Sequence, residues 1–195
     1  MLEKLPHAVG SALSGLKAGL DKTAYQQDFG SVPETISLTS PAFADGASLP
    51  ARFTEDGPGV SPPLAWSGLP AGTSHVVLLV EDAGSPTPKP LVHLIAWNLA
   101  AGDVLGKGDV LGEGDLASPA GEGRRHDLGR NSFLKDQWLP PDPPTGHGPH
   151  AYLFQLYALD APLDLQASPG RAALIEAMTG HVLAKGSLTG LYERR

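Results

Sequence analysis

A chain of 195 residues, 41% of them hydrophobic, has apolar material for one well-buried core and is short for two. Its formal charge of −7, from 21 acidic and 14 basic side chains, argues against nucleic acid as the main partner and leaves any bound anion to a local cluster of donors. The absence of cysteine excludes disulfides, thiol nucleophiles and thiolate metal sites, and 24 Gly with 19 Pro favour many short strands over long helices.

Residues 1–33 differ from the rest. Leu2, Leu5, Val9, Leu13, Leu16 and Leu20 recur at three- and four-residue steps, which predicts a helix with one apolar face. Gly10, Gly15 and Gly19 each weaken it by up to ~1 kcal/mol relative to alanine. The expectation is a marginal helical extension docked on its own domain; a homodimer arm is the alternative, and a membrane-surface helix is disfavoured because Lys4, Lys17 and Lys22 are offset by Glu3 and Asp21. Residues 1–20 lack a signal-peptide core and no segment is long and apolar enough to span a bilayer, so a cytoplasmic location is expected.

Residues 34–195 read as the main domain. Strands are predicted over 35–40, 52–54, 76–81, 92–99 and 151–159, separated by Gly, Pro and Asp clusters. Both alternating faces of 152–159 are apolar, which predicts a strand covered on both sides. Residues 100–150 form a long irregular region, including glycine-rich stretches at 106–108 and 121–125, and such loops are usually functional or mobile. Ser168 followed by Pro169 predicts a helix start, with Leu174, Ile175, Met178, Val182 and Leu183 on one helical face, and a last strand is expected over 187–192. The fold class is mostly β with a minor α+β component.

The candidate chemistry lies where strands begin and end. The run T-G-H-G-P-H-A-Y-L-F-Q-L-Y-A-L (145–159) carries a loop with His150 into an apolar strand that also fixes Tyr152; V-L-L-V-E-D (77–82) ends in Asp82, and L-V-H-L-I-A-W-N (91–98) holds His93. Two imidazoles and a phenol could surround a phosphate or carboxylate, while Asp82 could fix an imidazole tautomer or receive an ammonium. Each has a plainer explanation: a hydrogen-bonded core histidine for His93, a core aromatic for Tyr152, a turn former for Asp82. Trp66, Trp97 and Trp138 are taken as packing. His147 and His150 form an H-x-x-H pair, but Gly148-Pro149 between them excludes the helix that makes this spacing useful, so no metal site is expected. No G-x-S-x-G occurs, and Ser85 reads as a turn serine before Pro86. The glycine stretches lack the strand-to-helix setting of a phosphate loop.

Taken together, the segments resemble the phosphatidylethanolamine-binding protein family, in its bacterial Raf kinase inhibitor-like branch. The likeness covers roughly residues 36–194. It rests on S-P-A-F-A-D-G-A-S-L-P-A-R-F-T-E-D-G (40–57), S-P-P-L-A-W (61–66), D-A-G-S-P (82–86) in place of the family's D-P-D-A-P, His93 followed five residues later by Asn98, and G-x-x-P-H-x-Y at 146–152. The resemblance implies packed antiparallel β-sheets with a C-terminal helix beside a small anion-accepting pocket. It implies a ligand site of Asp82, Pro86, His93, His150 and Tyr152, with Gly146 in the motif and Pro143 and Pro144 at the rim. Two departures bear on the ligand: Gly84 replaces an aspartate, and Pro140-Pro141-Asp142 replaces a glycine-containing rim.

The expected function is therefore non-enzymatic: a binding or regulatory protein for a small phosphorylated or anionic ligand, with a kinase or protease as a candidate protein partner, no catalytic residue and no cofactor. The competing expectation is a small hydrolase or lyase using His93 and His150 as an acid–base pair with Asp82 as orienter. A third is an interaction protein with a vestigial pocket that depends on residues 1–33.

Overall fold

In a computed structural model of the chain, which describes residues 7–101, 110–116 and 127–194, the strands among the described residues form two sheets. They are β1 (Ser37–Thr39), β2 (Ala47–Ser48), β3 (Leu64–Ser67), β4 (His75–Asp82), β5 (Leu91–Ala100), β6 (Val110–Leu111), β7 (Asp127–Gly129), β8 (His150–Leu159) and β9 (Val182–Tyr192). The larger sheet runs β2-β9-β8-β4-β5-β7 and the smaller β1-β3-β6. All pairings are antiparallel except β2 with β9. The helices are α1 (His7–Leu13), α2 (Ala24–Gln27) and α3 (Arg171–Met178).

Alternation along the central strands sends side chains into two apolar layers, as the period of two requires. Val76, Leu78 and Val80 of β4, with Phe154, Leu156 and Ala158 of β8, pack toward the small sheet, against Leu38, Leu64 and Trp66. Val77, Leu79, Leu153, Tyr157 and Leu159 face the other way, onto Tyr25, Phe29, Leu174 and Met178. β8 is thus covered on both sides, as its sequence predicts. Burying a side chain such as Phe29 stabilises by about 1.5–3 kcal/mol.

The second face also carries three buried polar side chains, Glu81, Gln155 and Lys185. Glu81 accepts from the backbone N–H of Ala24 at 2.7 Å, from Gln155 Nε2 at 2.9 Å and from Arg171 Nε at 2.7 Å. Gln155 Oε1 accepts from the Tyr25 N–H, and Lys185 Nζ donates to the Tyr25 carbonyl while lying 3.8 Å from that ring's centre. Residues 24–25 therefore satisfy polar groups that the sheet could not satisfy alone.

Several expectations need correction. The predicted strand at 52–54 is a 3-10 turn, Ala51–Phe53, that follows Pro50 and buries Phe53. Residues 64–67, taken only as motif, form β3. α3 starts at Arg171 after Gly170 with no side-chain cap, and Ser168 lies at φ 57 rather than capping it. Gly180, at φ 86, turns the chain, so Val182 and Leu183 begin β9 and do not extend the helix face. The long region 100–150 contains β6 and β7; residues 106–108 and 121–125 lie outside the described residues.

Leu2 and Leu5 also lie outside the described residues. The remaining apolar positions do not make one continuous helix: α1 ends at Leu13, Gly19 sits at φ 96, and Leu16 and Leu20 are exposed. The extension instead packs through Ala18, Ala24, Tyr25 and Phe29. Gly10 rests on the loop before β8, where a Cβ would collide with the Thr145 carbonyl.

Candidate functional site

The ends of β4 and β8 bring the expected polar residues together. Asp82 is the last residue of β4 and pairs in register with Tyr152 of β8 and Leu91 of β5. His93 lies two residues into β5, and His150 opens β8. Asp82, His93 and His150 are all buried.

Asp82 is held on both oxygens. Oδ1 accepts the Gly84 N–H at 2.8 Å and Oδ2 accepts His150 Nδ1–H at 2.8 Å. The Gly84 position explains the missing acid: a Cβ there would stand 2.6 Å from His150 Cα and 2.9 Å from its Cβ. The start of β8, at His150, occupies the volume that a side chain at 84 would need.

The two histidines differ in the nitrogen they leave open. His93 Nδ1 lies 2.7 Å from the Leu139 carbonyl, which can only accept, so Nδ1 carries hydrogen. Its Nε2 is buried without a hydrogen-bond partner, 3.9 Å from Asp82 Oδ2. Burial holds the His93 pKa below the ordinary histidine value, against the pull of Asp82, so the ring is neutral near pH 7 and Nε2 presents a lone pair. His150 leaves nothing open: Nδ1 faces Asp82, and Nε2 lies 2.8 Å from His147 Nδ1. Tyr152 packs edge-on against His93 and stacks on His150, and burial pushes its phenol well above the usual range.

In front of these groups is a cavity of about 560 Å³. Among the expected site residues Asp82, Pro86, His93 and His150 line it. Tyr152 touches both imidazoles but is not among the lining residues; nor are Pro143, Pro144 and Gly146, in a loop where the Pro143 carbonyl accepts from Arg194 and Gly146 N–H donates to the Arg194 carbonyl. His147 and His150 of the H-x-x-H pair are bonded to each other. Ser85, a cavity-lining residue, donates to the Asp82 carbonyl and contacts Thr87 Oγ1.

Other lining residues were not legible beforehand. Phe133, Lys135 and Gln137 come from a turn inside the region read as irregular. Asn131 builds that turn: its Oδ1 accepts the Phe133 and Lys135 N–H groups and its Nδ2 donates to the Gln137 carbonyl. An asparagine before S-F-L-K was the available signal. Asp142, expected at the rim, does line the cavity, whereas Arg194, which bridges it to Asp56, was missed because it sits far along the chain from its partners.

A family profile described as phosphatidylethanolamine-binding protein matches residues 39–193. The chain belongs to the phosphatidylethanolamine-binding protein family. It is 36% identical over 171 residues to a UPF0098 protein of Pyrococcus horikoshii, covering 83% of this chain and 79% of that one. To a candidate family homologue of known structure from Chlamydia trachomatis, CT736, the identity is 32% and the TM-score 0.70, over 83% of this chain and 99% of that one. A Mycobacterium tuberculosis protein, LppC, named as a candidate lipoprotein, is 34% identical over 163 residues, 80% of this chain and 74% of that one. Within this phosphatidylethanolamine-binding family member, residues 1–38 precede the matched segment, so the contacts of Leu16, Ala24 and Tyr25 come from outside it. No helix among the described residues is long and apolar enough to cross a membrane.

Proposed function

We propose that this family member is a non-enzymatic binding protein whose cavity takes a small ligand bearing a phosphate or another anionic group. Family membership supports a binding or regulatory role. The observation that carries the finer reading is the unpartnered Nε2 of His93 in the cavity wall. A buried polar atom without a partner is costly, and a ligand oxygen sharing a proton with it removes that cost. Because neutral His93 is an acceptor there, an anion binds with a proton, taken up by the ring or carried as P–OH. Lys135 supplies a cation in the cavity wall, while Phe133, Leu91 and Pro140 give an apolar lining for the rest of the ligand.

The engagement of both His150 nitrogens favours binding over acid–base chemistry, since a general base needs a free lone pair. Kinase or protease modulation through a protein partner, and a homodimer, belong to this proposal as consequences to be tested with the ligand-loaded protein. So does a cytoplasmic location, which cell fractionation would test against the lipoprotein naming of the mycobacterial relative.

Calorimetric titration of phosphate, phosphoethanolamine and a nucleoside monophosphate, run in two buffers of different ionisation enthalpy, tests the reading. Saturable binding with about one proton taken up or carried in, lost in a folded His93→Leu variant, is expected. Binding that survives His93→Leu unchanged, or no binding to any of the three, would overturn it.

A further inference from the structure

A line of hydrogen bonds runs from the extension to the cavity. Its links are the Leu16 carbonyl to His147 Nε2 at 3.1 Å, His147 Nδ1 to His150 Nε2 at 2.8 Å, and His150 Nδ1 to Asp82 Oδ2 at 2.8 Å. Each link needs one hydrogen. A carbonyl oxygen ends the line on one side and a carboxylate on the other, and neither supplies any. Two neutral imidazoles carry two hydrogens between them, one fewer than the three links require.

We propose that Leu16, His147, His150 and Asp82 hold one proton beyond two neutral imidazoles and a carboxylate, so that the extension, through His147 as a positioning residue, keeps Asp82 paired with an imidazolium in the cavity wall. The extra proton rests on His150. Burial, His150 itself and Lys17, whose Nζ donates to the Pro149 carbonyl, disfavour charge on His147 and outweigh the Leu13 and Leu16 carbonyls that favour it. The Gly84 N–H favours Asp82 as carboxylate. The other charged or titratable groups facing the line are His93, 3.9 Å from Asp82, and Tyr152, stacked on His150, with Asp142 and its partner Arg194 behind the phenol. Glu55 and Lys135 look in from the cavity.

The line stands whatever the cavity binds; its bearing on anion binding rests on the function proposed above. An uncompensated carboxylate beside His93 would repel an anionic ligand, whereas a carboxylate–imidazolium pair presents no net charge. Loss of the proton leaves two acceptors facing each other at one link. Breaking that link frees either Asp82 or the extension, whose Ala18 and Gly19 N–H groups otherwise donate to the Ser85 and Ala83 carbonyls of the loop after β4.

The test is nitrogen-15 NMR of the histidine rings in the full chain at pH 7.0. Expected are hydrogens on both nitrogens of His150 and on Nε2 alone of His147, with His147→Phe costing His150 one of its two. A single hydrogen on His150 in the unaltered protein would overturn the proposal, as would two surviving in His147→Phe. The unaltered protein decides the first point even if the variant does not fold. Phosphate titration of the same samples separates the two readings: protons as expected with no phosphate binding retains the line and removes the anion site.

Discussion

Nε2 of His93 and Oδ2 of Asp82 stand 3.9 Å apart, and no hydrogen bond joins them. With the ring neutral and Asp82 a carboxylate both are acceptors, so the pair is incomplete until something brings a proton.

That relationship gives a pH dependence with a definite sign. The folded-state pKa of His93 is depressed by burial. Its contribution to stability is therefore present above the ordinary histidine value of about 6.5 and is lost as pH falls through the lower folded value. A bound anion stabilises the protonated ring and reverses the trend. Phosphate affinity should rise between pH 7.5 and 5.5, by at most about tenfold per unit for one proton taken up. Thermal denaturation with and without phosphate at the two pH values checks this; an equal shift in Tm at both would remove His93 from the binding step.

Gly84→Ala should displace His150. The added Cβ would lie 2.6 Å from His150 Cα, a backbone atom that cannot rotate away. A loss of about 1–3 kcal/mol is expected from such overpacking, with the His150–Asp82 bond broken first. Gly84→Asp, which restores the family's acid, should be no milder. Chemical denaturation together with the His150 ring signals reads both effects, and wild-type stability in Gly84→Ala would contradict the close approach.

Arg194 ties Asp142, at the cavity, to Asp56 and the 140–146 loop. Its replacement by glutamine leaves the largely buried Asp142 carboxylate facing the cavity without this partner. Stability should fall by roughly 1–3 kcal/mol, discounted for the more exposed Asp56, and phosphate affinity should fall with it. Raising the salt concentration should recover part of the affinity, because screening weakens the repulsion; affinity unchanged by the substitution would mean Asp142 does not face the ligand.

Glu81 is the point where β4, α3 and the extension meet. Glu81→Leu removes three acceptor contacts and leaves Arg171 paired with Asp28 alone, so a cost of about 3–5 kcal/mol is expected. Adding Arg171→Met should recover part of that loss, giving a non-additive double-mutant cycle. Additive losses in urea titrations would mean that the two residues act independently.

The sequence showed some parts of this molecule better than others, for physical reasons. Strands β4, β5 and β8 were visible because long apolar runs buried on both faces have few other outcomes, and Asp82, His93 and His150 could be placed because each lies at or near a strand end. Ala51–Phe53 was misread because three residues carry no period, and Val182 because its spacing from Met178 suits a helix until Gly180 turns the chain. Arg194 and Lys135 were invisible for another reason. What gives them a role is a partner 52 residues away in one case and a loop shape set by Asn131 in the other, and neither leaves a local pattern.

The buried trio of Glu81, Gln155 and Lys185 makes the first thirty residues more than a cover. An appended segment that merely covered an existing apolar surface could be gained or lost freely. This one lies over a carboxylate, an amide and an ammonium that take hydrogen bonds from, or give them to, its main chain. Segment and sheet are therefore matched residue by residue, and removing residues 24–25 would leave each of those three side chains short of one main-chain partner.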